Sequence, residues 1–381
     1  MTFFNSFFLG GFECADHINR SGERVNLLKE TGHDIRVDED YRNLVAMGIR
    51  TVREGICWSI VEPQPYVYDF STIAPMLDAA ARYGIQQVWD LCHFGYPDGI
   101  YPTHPHFCDR FVGLCEAFAL FHKRRTTDRL YVVPINEISF LSWHSGDVRG
   151  TVPFATNSGF DMKYHLCKAA IRGIRKLKEV NPSCIVVLVE PLVWMHAADV
   201  TDTATVATLN EPQFQAMDIL LGRMCPELGG SQALADLLGF NYYWNCQWRE
   251  GGGPLDWPET LAGERIALGR LLELAGNRYR KPMFLSETGH FGSGREEWIL
   301  EITEEVASLM GKGIDFYGIC IYPVTDRPDW DALDRYSQCG IWDLDAHKNR
   351  IPHLSYMQTI AGCQAQIAGL NYSAGISFVG T

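Results

Sequence analysis

The chain has 381 residues, of which 46% are hydrophobic and 21% charged, and this composition excludes a disordered chain. Its net charge of -13, from 33 basic and 46 acidic residues, argues against a nucleic-acid partner, because such proteins concentrate Lys and Arg on one face. No apolar run approaches the about 20 residues of a membrane span, and the N-terminus lacks the basic segment and cleavage site of a signal peptide. We therefore expect a cytoplasmic globular protein without a membrane partner.

Eight short apolar runs alternate with longer helical patterns along the chain. The predicted strands cover residues 4–11, 49–54, 85–92, 130–136, 184–190, 237–243, 282–287 and 314–322. The predicted helices between them cover residues 37–47, 72–83, 109–123, 161–180, 259–275 and 296–311.

This alternation predicts the fold. Alternating strands and helices give parallel strands, and eight right-handed units close into a (β/α)8 TIM barrel. A doubly wound open sheet is the alternative, but Gly10-Gly11 is not followed by the GxGxxG turn of such sheets. We predict a single catalytic domain over residues 1–361, followed by a mobile C-terminal tail over residues 362–381, which show no clear sequence pattern.

The twelve cysteines do not indicate a disulfide framework. Most of them fall in or beside strand-like runs, as Cys57, Cys92, Cys184 and Cys320 do, and are interpreted as small buried hydrophobic residues of a reducing compartment. No CxxC pair or Cys/His cluster has the spacing of zinc ligands, so we expect no metal.

Two glutamates end apolar runs, Glu137 in Tyr131-Val-Val-Pro-Ile-Asn-Glu137 and Glu287 in Pro282-Met-Phe-Leu-Ser-Glu287. A carboxylate is tolerated at a strand end only where the strand emerges from its apolar packing into a cleft. In a barrel the carboxyl ends of all strands meet at one mouth, so we expect the polar side chains found there to point into it together. These side chains are Arg53, Glu54, His93, Asn136, Glu137, Glu190, Asn241, Tyr243, Glu287 and Tyr322.

Two carboxylic acids across a cleft are what glycoside hydrolysis needs, one to protonate the leaving oxygen and one to attack or stabilise the anomeric carbon. Their environments must differ. A glutamate beside Arg53 and a tyrosine hydroxyl would stay ionised as the nucleophile, whereas one beside Asn136 and apolar walls would keep a raised pKa as the acid.

Several motifs carry a resemblance to a known family. They are residues 40–58 with Arg53 five positions before Trp58, Leu91-Cys-His93-Phe94, Asn136-Glu137, Gly239-Phe-Asn241-Tyr-Tyr243 and Leu285-Ser-Glu287-Thr-Gly289. In this order, over residues 8–352, they resemble the family 1 glycoside hydrolases of the β-glucosidase type, within the clan of retaining (β/α)8-barrel glycosidases.

The resemblance implies roles for individual residues. Glu137 on strand 4 corresponds to the acid/base and Glu287 on strand 7 to the nucleophile. The implied supporting residues are Arg53 and Tyr243 beside the nucleophile, His93 and Asn136 on sugar hydroxyls, and Asn241 in the strand 6 motif.

The chain departs from the family pattern at strands 1 and 8. The family's strand 1 glutamine is missing, so Glu13, Asp16 or His17 must take its place. After strand 8, the family's tryptophan-rich motif with a sugar-binding glutamate is replaced by a segment containing Asp329 and Trp330. Asp329 would approximate the sugar contact, and Trp330 would stack on a sugar face.

Two other glutamates compete with Glu137 for the role of acid/base. A literal Asn210-Glu211-Pro212 occurs, but its context predicts a helix start with Asn210 as N-cap. Glu190 also ends a strand, yet it lacks a preceding asparagine and is interpreted as a ligand contact.

The function predicted from the sequence is that of a retaining exo-β-glycosidase that acts on a carbohydrate or glycoside by double displacement and needs no cofactor. A transglycosylase or an open-cleft endo-glycanase on the same site is an alternative, as is a non-catalytic sugar-binding barrel. The sequence leaves the identity of the sugar and the oligomeric state open.

Overall fold

A computed structural model describes residues 2–199, 201–258 and 264–373 of the chain. Eight strands form a closed parallel barrel in which the last strand pairs with the first, and this confirms the predicted (β/α)8 fold. We number them strands 1 to 8 in chain order: Phe8–Gly11, Thr51–Gly55, Gln86–Asp90, Tyr131–Val133, Ile185–Pro191, Leu237–Asn241, Met283–Thr288 and Phe316–Ile321.

The helices surround this barrel. They are Leu27–Thr31, His33–Ala46, Trp58–Val61, Ala74–Tyr83, Phe107–Arg125, Ile138–Gly146, Gly159–Val180, Thr203–Asn210, Gln215–Leu220, Leu268–Tyr279, Arg295–Gly311 and Leu354–Ser373, with short 3-10 turns at Glu211–Phe214, Pro226–Leu228, Gln232–Leu234 and Gly292–Gly294. Three small pairs of strands decorate the loops: Trp194–His196 with Gln247–Arg249, Pro328–Asp329 with Ala332–Tyr336, and Trp342–Leu344 with Arg350–Pro352.

The apolar core has two layers, because successive residues of a strand point to opposite faces. The inner layer fills the barrel with side chains such as Leu9, Val88 and Phe284. The outer layer packs the other face of each strand against the helices. Since the barrel is filled below, polar chemistry is confined to the carboxyl ends of the strands.

The C-terminal segment is helical up to residue 373. The helix Leu354–Ser373 continues across residue 362, where a tail was expected to begin. Ile360, Cys363 and Ile367 are buried along this helix, so apolar packing orders it. Residues 374–381 lie outside the described part of the chain, and the division into a domain and a tail stays a prediction.

Helix bounds also differ before strand 7. The predicted helix at 259–275 is observed as Leu268–Tyr279, and residues 259–263 of the prediction lie outside the described residues. All twelve cysteines are free thiols, and ten of them are buried. In the described ranges, no helix has both the length and the apolar character needed to cross a membrane.

Candidate active site

A β-bulge near the end of strand 7 positions Glu287. Leu285 pairs with Phe240 on strand 6, but the next pair joins Glu287 to Asn241, so Ser286 is an extra residue. A bulge re-aims side chains locally. Here the Ser286 hydroxyl donates to Asn241 Oδ1 at 2.6 Å, and the buried Glu287 carboxylate also reaches the mouth of the barrel.

Glu287 is held by two donors. Arg53 Nη1 donates to its Oε1 at 2.9 Å, and the Tyr243 hydroxyl donates to its Oε2 at 2.7 Å. Arg53 is itself anchored by a 2.8 Å hydrogen bond to the Ser286 carbonyl. Both donors stabilise the charged carboxylate, which suits a nucleophile.

Glu137 has a different environment. It directly precedes the helix Ile138–Gly146 in a left-handed conformation with φ 46°, and its N–H donates to the Val189 carbonyl at 3.0 Å. Its carboxyl accepts a 2.7 Å hydrogen bond from Asn241 Nδ2. Burial first, and then the charge of Glu287, raise the pKa of Glu137 to about 8. The group therefore holds a proton at neutral pH, as a general acid must.

Asp90 links Arg53 to His93. It accepts from Arg53 Nη2 at 2.6 Å and lies 3.0 Å from His93 Nδ1. Burial alone would lower the pKa of His93, but the hydrogen bond to Asp90 and its charge outweigh this effect and raise it. Asn136 closes the group, since its Oδ1 accepts from Arg53 Nη2 at 3.1 Å. Asp90 was not among the residues selected from the sequence. It lies two residues after the inner-face Val88, so strand alternation would have predicted that its side chain points inward.

Glu13, from the loop after strand 1, joins the same cluster. Its Oε1 accepts from the backbone N–H groups of Cys14 and Ala15 at 3.1 and 3.2 Å and lies 3.4 Å from the Tyr322 hydroxyl. Its Oε2 lies 3.2 Å from Arg327 Nε. Tyr322, expected at the mouth from the sequence, and Arg327, which was not among the predicted site residues, thus complete this side of the mouth. The other two strand 1 candidates have other partners: Asp16 accepts from Ser59, and His17 packs on Trp330.

The structure separates Asp329 from Trp330. The Trp330 ring lies 5.8 Å from the Arg327 guanidinium carbon and 4.8 Å from the His17 ring, at the rim of the site. Asp329 instead accepts from Asp331 N at 2.9 Å and from Arg335 at 2.7 Å, in a surface hairpin. The described contacts do not bring Asp329 to the cluster.

The expectation that every strand-end polar residue points into the mouth is wrong for Glu54 and Glu190. Both lie on the outer face of their strands. Glu54 accepts from the Tyr41 hydroxyl at 2.6 Å and lies 3.1 Å from His33 Nε2. Glu190 accepts from the backbone N–H of Ser139 at 3.1 Å. Strand alternation accounts for this, because Arg53 and Val189, the residues just before Glu54 and Glu190, point to the inner face.

Glu211 lies away from the cluster. It begins a 3-10 turn and forms an exposed ion pair with Arg278 at 2.9 Å. Asn210 was expected to cap this turn, but its side chain makes no capping hydrogen bond. It donates instead to the Met195 and Val206 carbonyls.

Three potential metal ligands, Cys14, Asp90 and His93, have donor atoms within 4.8 Å of one another. Their chemistry does not favour a cation. Burial raises the pKa of Cys14, whereas a metal binds the thiolate, and the Arg53 guanidinium already occupies Asp90 with a positive charge.

Comparison with known proteins gives one partial family match. A family model for β-galactosidases, Glyco_hydro_42, matches residues 28–124. No curated protein matches the chain.

Among solved structures, the chain resembles several β-glucosidases. A β-glucosidase from Thermotoga maritima in complex with deoxynojirimycin is 14% identical with a TM-score of 0.72, covering 88% of this chain and 87% of that one. A family 1 β-glucosidase from Thermotoga maritima is 14% identical with a TM-score of 0.74, covering 95% and 99%. The monomer structure of a hyperthermophilic β-glucosidase mutant is 16% identical with a TM-score of 0.77, covering 93% and 99%.

At these identities the structural likeness shows the fold alone. The barrel and the partial family match together support a glycoside hydrolase at the level of the class. Membership of family 1, which the motifs suggested, is not confirmed.

Proposed function

We propose that the protein is a retaining exo-β-glycosidase of the β-glucosidase type. The observation that carries this proposal is the pair of buried carboxyl groups in opposite environments. Arg53 and Tyr243 donate to Glu287, whereas Glu137 accepts a hydrogen bond from the neutral amide of Asn241 and has a pKa raised to about 8. Such a division gives one group the role of nucleophile and the other the role of acid.

The reaction then has two steps. In the first, Glu287 attacks the anomeric carbon and the bond to the leaving oxygen breaks, while Glu137 gives its proton to that oxygen. In the second, the ionised Glu137 takes a proton from water, whose oxygen attacks the anomeric carbon and releases Glu287. Asn241 stays within hydrogen-bond distance of Glu137 in the starting state and would orient its carboxyl.

Residues on the Arg53 side of the site would bind the sugar. His93 and Asn136 belong to the hydrogen-bonded group around Asp90, and Glu13 with Arg327 lies beside Tyr322. These fixed donors and acceptors match the hydroxyl groups of a sugar ring, and Trp330 at the rim offers an aromatic face.

The proposal is tested by incubating the protein with a panel of 2-deoxy-2-fluoro aryl β-glycosides, followed by intact mass and peptide mapping. These reagents accumulate a covalent adduct only on a retaining nucleophile. We expect one adduct on Glu287 and none in Glu287→Ala. A folded protein that binds the sugars but is never labelled would overturn the proposal and favour a sugar-binding barrel. Products formed with an added alcohol acceptor, and turnover of polymeric substrates, would identify transglycosylation and endo action.

A further inference from the structure

Glu190 is a buried carboxylate that the mechanism above does not use. It is 2% exposed and lies on the outer face of strand 5, behind the turn that presents Glu137. The two strands meet at this point, because Asn136 pairs with Val189 and the Glu137 N–H donates to the Val189 carbonyl. Glu190 is therefore adjacent to the residue that contacts the Glu137 backbone, but its side chain lies on the outer face of the barrel, whereas that of Glu137 lies at the mouth.

The turn at Glu137 needs support from outside itself. A left-handed conformation costs a non-glycine residue about 1–2 kcal/mol, and it persists only where the surroundings fix it. The helix Ile138–Gly146 starts at the next residue, so its first N–H groups have no partner within the helix. The residue at the N-cap position is Glu137, and its side chain makes no capping hydrogen bond because it is directed into the mouth toward Asn241.

Glu190 supplies the missing cap. Its Oε2 accepts from the Ser139 N–H at 3.1 Å, in the first turn of that helix. A carboxylate at this position is also stabilised by the positive end of the helix dipole. Its Oε1 has no hydrogen-bond partner among the described residues.

We propose that Glu190 is a positioning residue for Glu137: it caps the helix that follows the acid and places a negative charge behind it. This inference rests on the proposed function. Other groups facing Glu190 are Lys163 and Cys167 on the helix Gly159–Val180 and Tyr279 on the helix Leu268–Tyr279. Lys163 Nζ donates to Gln215 at 3.0 Å.

The charge acts at the relevant pH. Burial raises the pKa of Glu190 to about 7, below the value of about 8 for Glu137. Glu190 is thus ionised in the range where Glu137 loses its proton, and its charge is one of the causes that raise the pKa of Glu137. Burial and the charge of Glu287 raise the pKa of Glu137 more than Glu190 does, and the charge of Glu190 adds to their effect.

Two variants separate the cap from the charge. In Glu190→Gln the amide oxygen still accepts from Ser139 but the charge is lost, so we expect the alkaline limb of kcat/KM to move down by about half a pH unit or more. In Glu190→Ala the cap is lost as well. We expect kcat to fall about tenfold on a methyl glycoside, which needs the acid, and less on a dinitrophenyl glycoside, which does not.

Glu211→Gln, at a surface ion pair, is the matched control and should leave the pH profile and both rates unchanged. An unshifted limb in Glu190→Gln, or an equal loss on both substrates in Glu190→Ala, would overturn the inference. Labelling of Glu287 by the fluoro sugars in wild type and variants keeps this outcome distinct from failure of the proposed function, in which wild type itself is not labelled.

Discussion

Asn241 is the residue through which the two carboxyl groups of the site are related. Its Oδ1 accepts from the Ser286 hydroxyl, which fixes the orientation of the amide so that Nδ2 donates to Glu137. Ser286 in turn precedes Glu287. One side-chain amide thus ties Glu137 to the strand that carries Glu287, and its hydroxyl partner determines which of its ends faces Glu137.

The protonation of Glu137 predicts the pH dependence of the enzyme. In the proposed mechanism the acid form of Glu137 is the active one and its pKa is about 8, so kcat/KM should fall as the pH rises through about 8. In Glu137→Ala this limb should vanish and kcat on a poor leaving group should drop about 10²–10⁴-fold. A pH–rate profile of both proteins measures this. A wild-type limb that survives in Glu137→Ala would contradict the assignment.

Two adjacent tyrosines provide a matched pair of variants that tests the proposed role of Glu287 as the nucleophile. Tyr243 donates to Glu287, while the Tyr242 hydroxyl accepts from Gln247 and Arg265. A hydrogen bond to a charged group is worth about 1.5–3 kcal/mol, so Tyr243→Phe should lower kcat by about 10–100-fold. Tyr242→Phe should reduce thermal stability but keep kcat within about threefold. Steady-state rates and melting curves of the two variants test this, and equal losses of kcat would refute the role of Tyr243.

At the scale of elements, the ends of the strands determine the site. The apolar runs and their alternation with helical patterns were enough to predict all eight barrel strands, because a filled barrel requires those runs. The direction of individual side chains was harder to obtain. Glu54 and Glu190 were misplaced although alternation could have identified them, and the bulge that directs both Ser286 and Glu287 inward has no clear pattern in the sequence.

Asp329 shows a second limit of sequence analysis. The motif after strand 8 placed it beside Trp330 as a sugar contact. The local hairpin formed by Pro328–Asp329 and Ala332–Tyr336 turns its carboxylate to Arg335 instead, and Arg327 faces Glu13. Arg327 and Asp329 are two residues apart but face different partners, because this segment pairs with the later strand Ala332–Tyr336. The spacing of residues within the motif does not predict that pairing.

Strand 1 ends in a glycine because Tyr322, the residue after strand 8, packs against it. A Cβ on Gly11 would lie 2.1 Å from Tyr322 Cδ2, and this ring lies parallel to His93 at 5.9 Å. Gly11→Ala should therefore lower the free energy of unfolding by about 1–3 kcal/mol, and kcat/KM should fall as Tyr322 is displaced.

The control is Gly311→Ala, whose added Cβ meets no atom within 4 Å. It should leave activity unchanged and stability the same or slightly higher, since alanine favours helices. Denaturant unfolding and steady-state kinetics measure both variants. A fully active Gly11→Ala protein would show that Tyr322 does not depend on this close contact.

At the scale of the whole molecule, a buried charge network joins distant parts of the chain. His33 lies between Asp40, at 2.7 Å, and Glu54, at 3.1 Å, and Asp40 also accepts from Arg350 at 2.6 Å. The network connects strand 2 and the helix His33–Ala46 to the small strand Arg350–Pro352 near the end of the fold. The Glu54 carboxylate, which was expected in the mouth of the barrel, belongs to this network instead.

This network predicts how stability depends on pH. Burial would lower the pKa of His33, but the charge of Glu54 and the hydrogen bond to Asp40 outweigh it and raise the pKa to about 9. A group whose pKa is raised on folding stabilises the protein fully below its unfolded value of about 6.5, and this contribution is lost as the pH rises to about 9. Tm should fall between these pH values in wild type and fall less in His33→Gln. Melting curves at pH 6 and pH 9 measure Tm for both proteins. The same decrease in Tm in wild type and in His33→Gln would contradict the prediction.

The burial of the thiols has a practical consequence for chemical modification. Cys14 lies 4.0 Å from the Tyr322 hydroxyl, close to the buried carboxyl groups of the candidate site, yet burial raises its pKa, so it stays an unreactive thiol. Only Cys225 and Cys339 are partly exposed. Of these two, burial raises the pKa of Cys339 to about 12, so a maleimide dye should attach at Cys225 in the native protein and leave turnover intact. The natural chain can thus be given a fluorescent reporter without removing any of its other eleven cysteines.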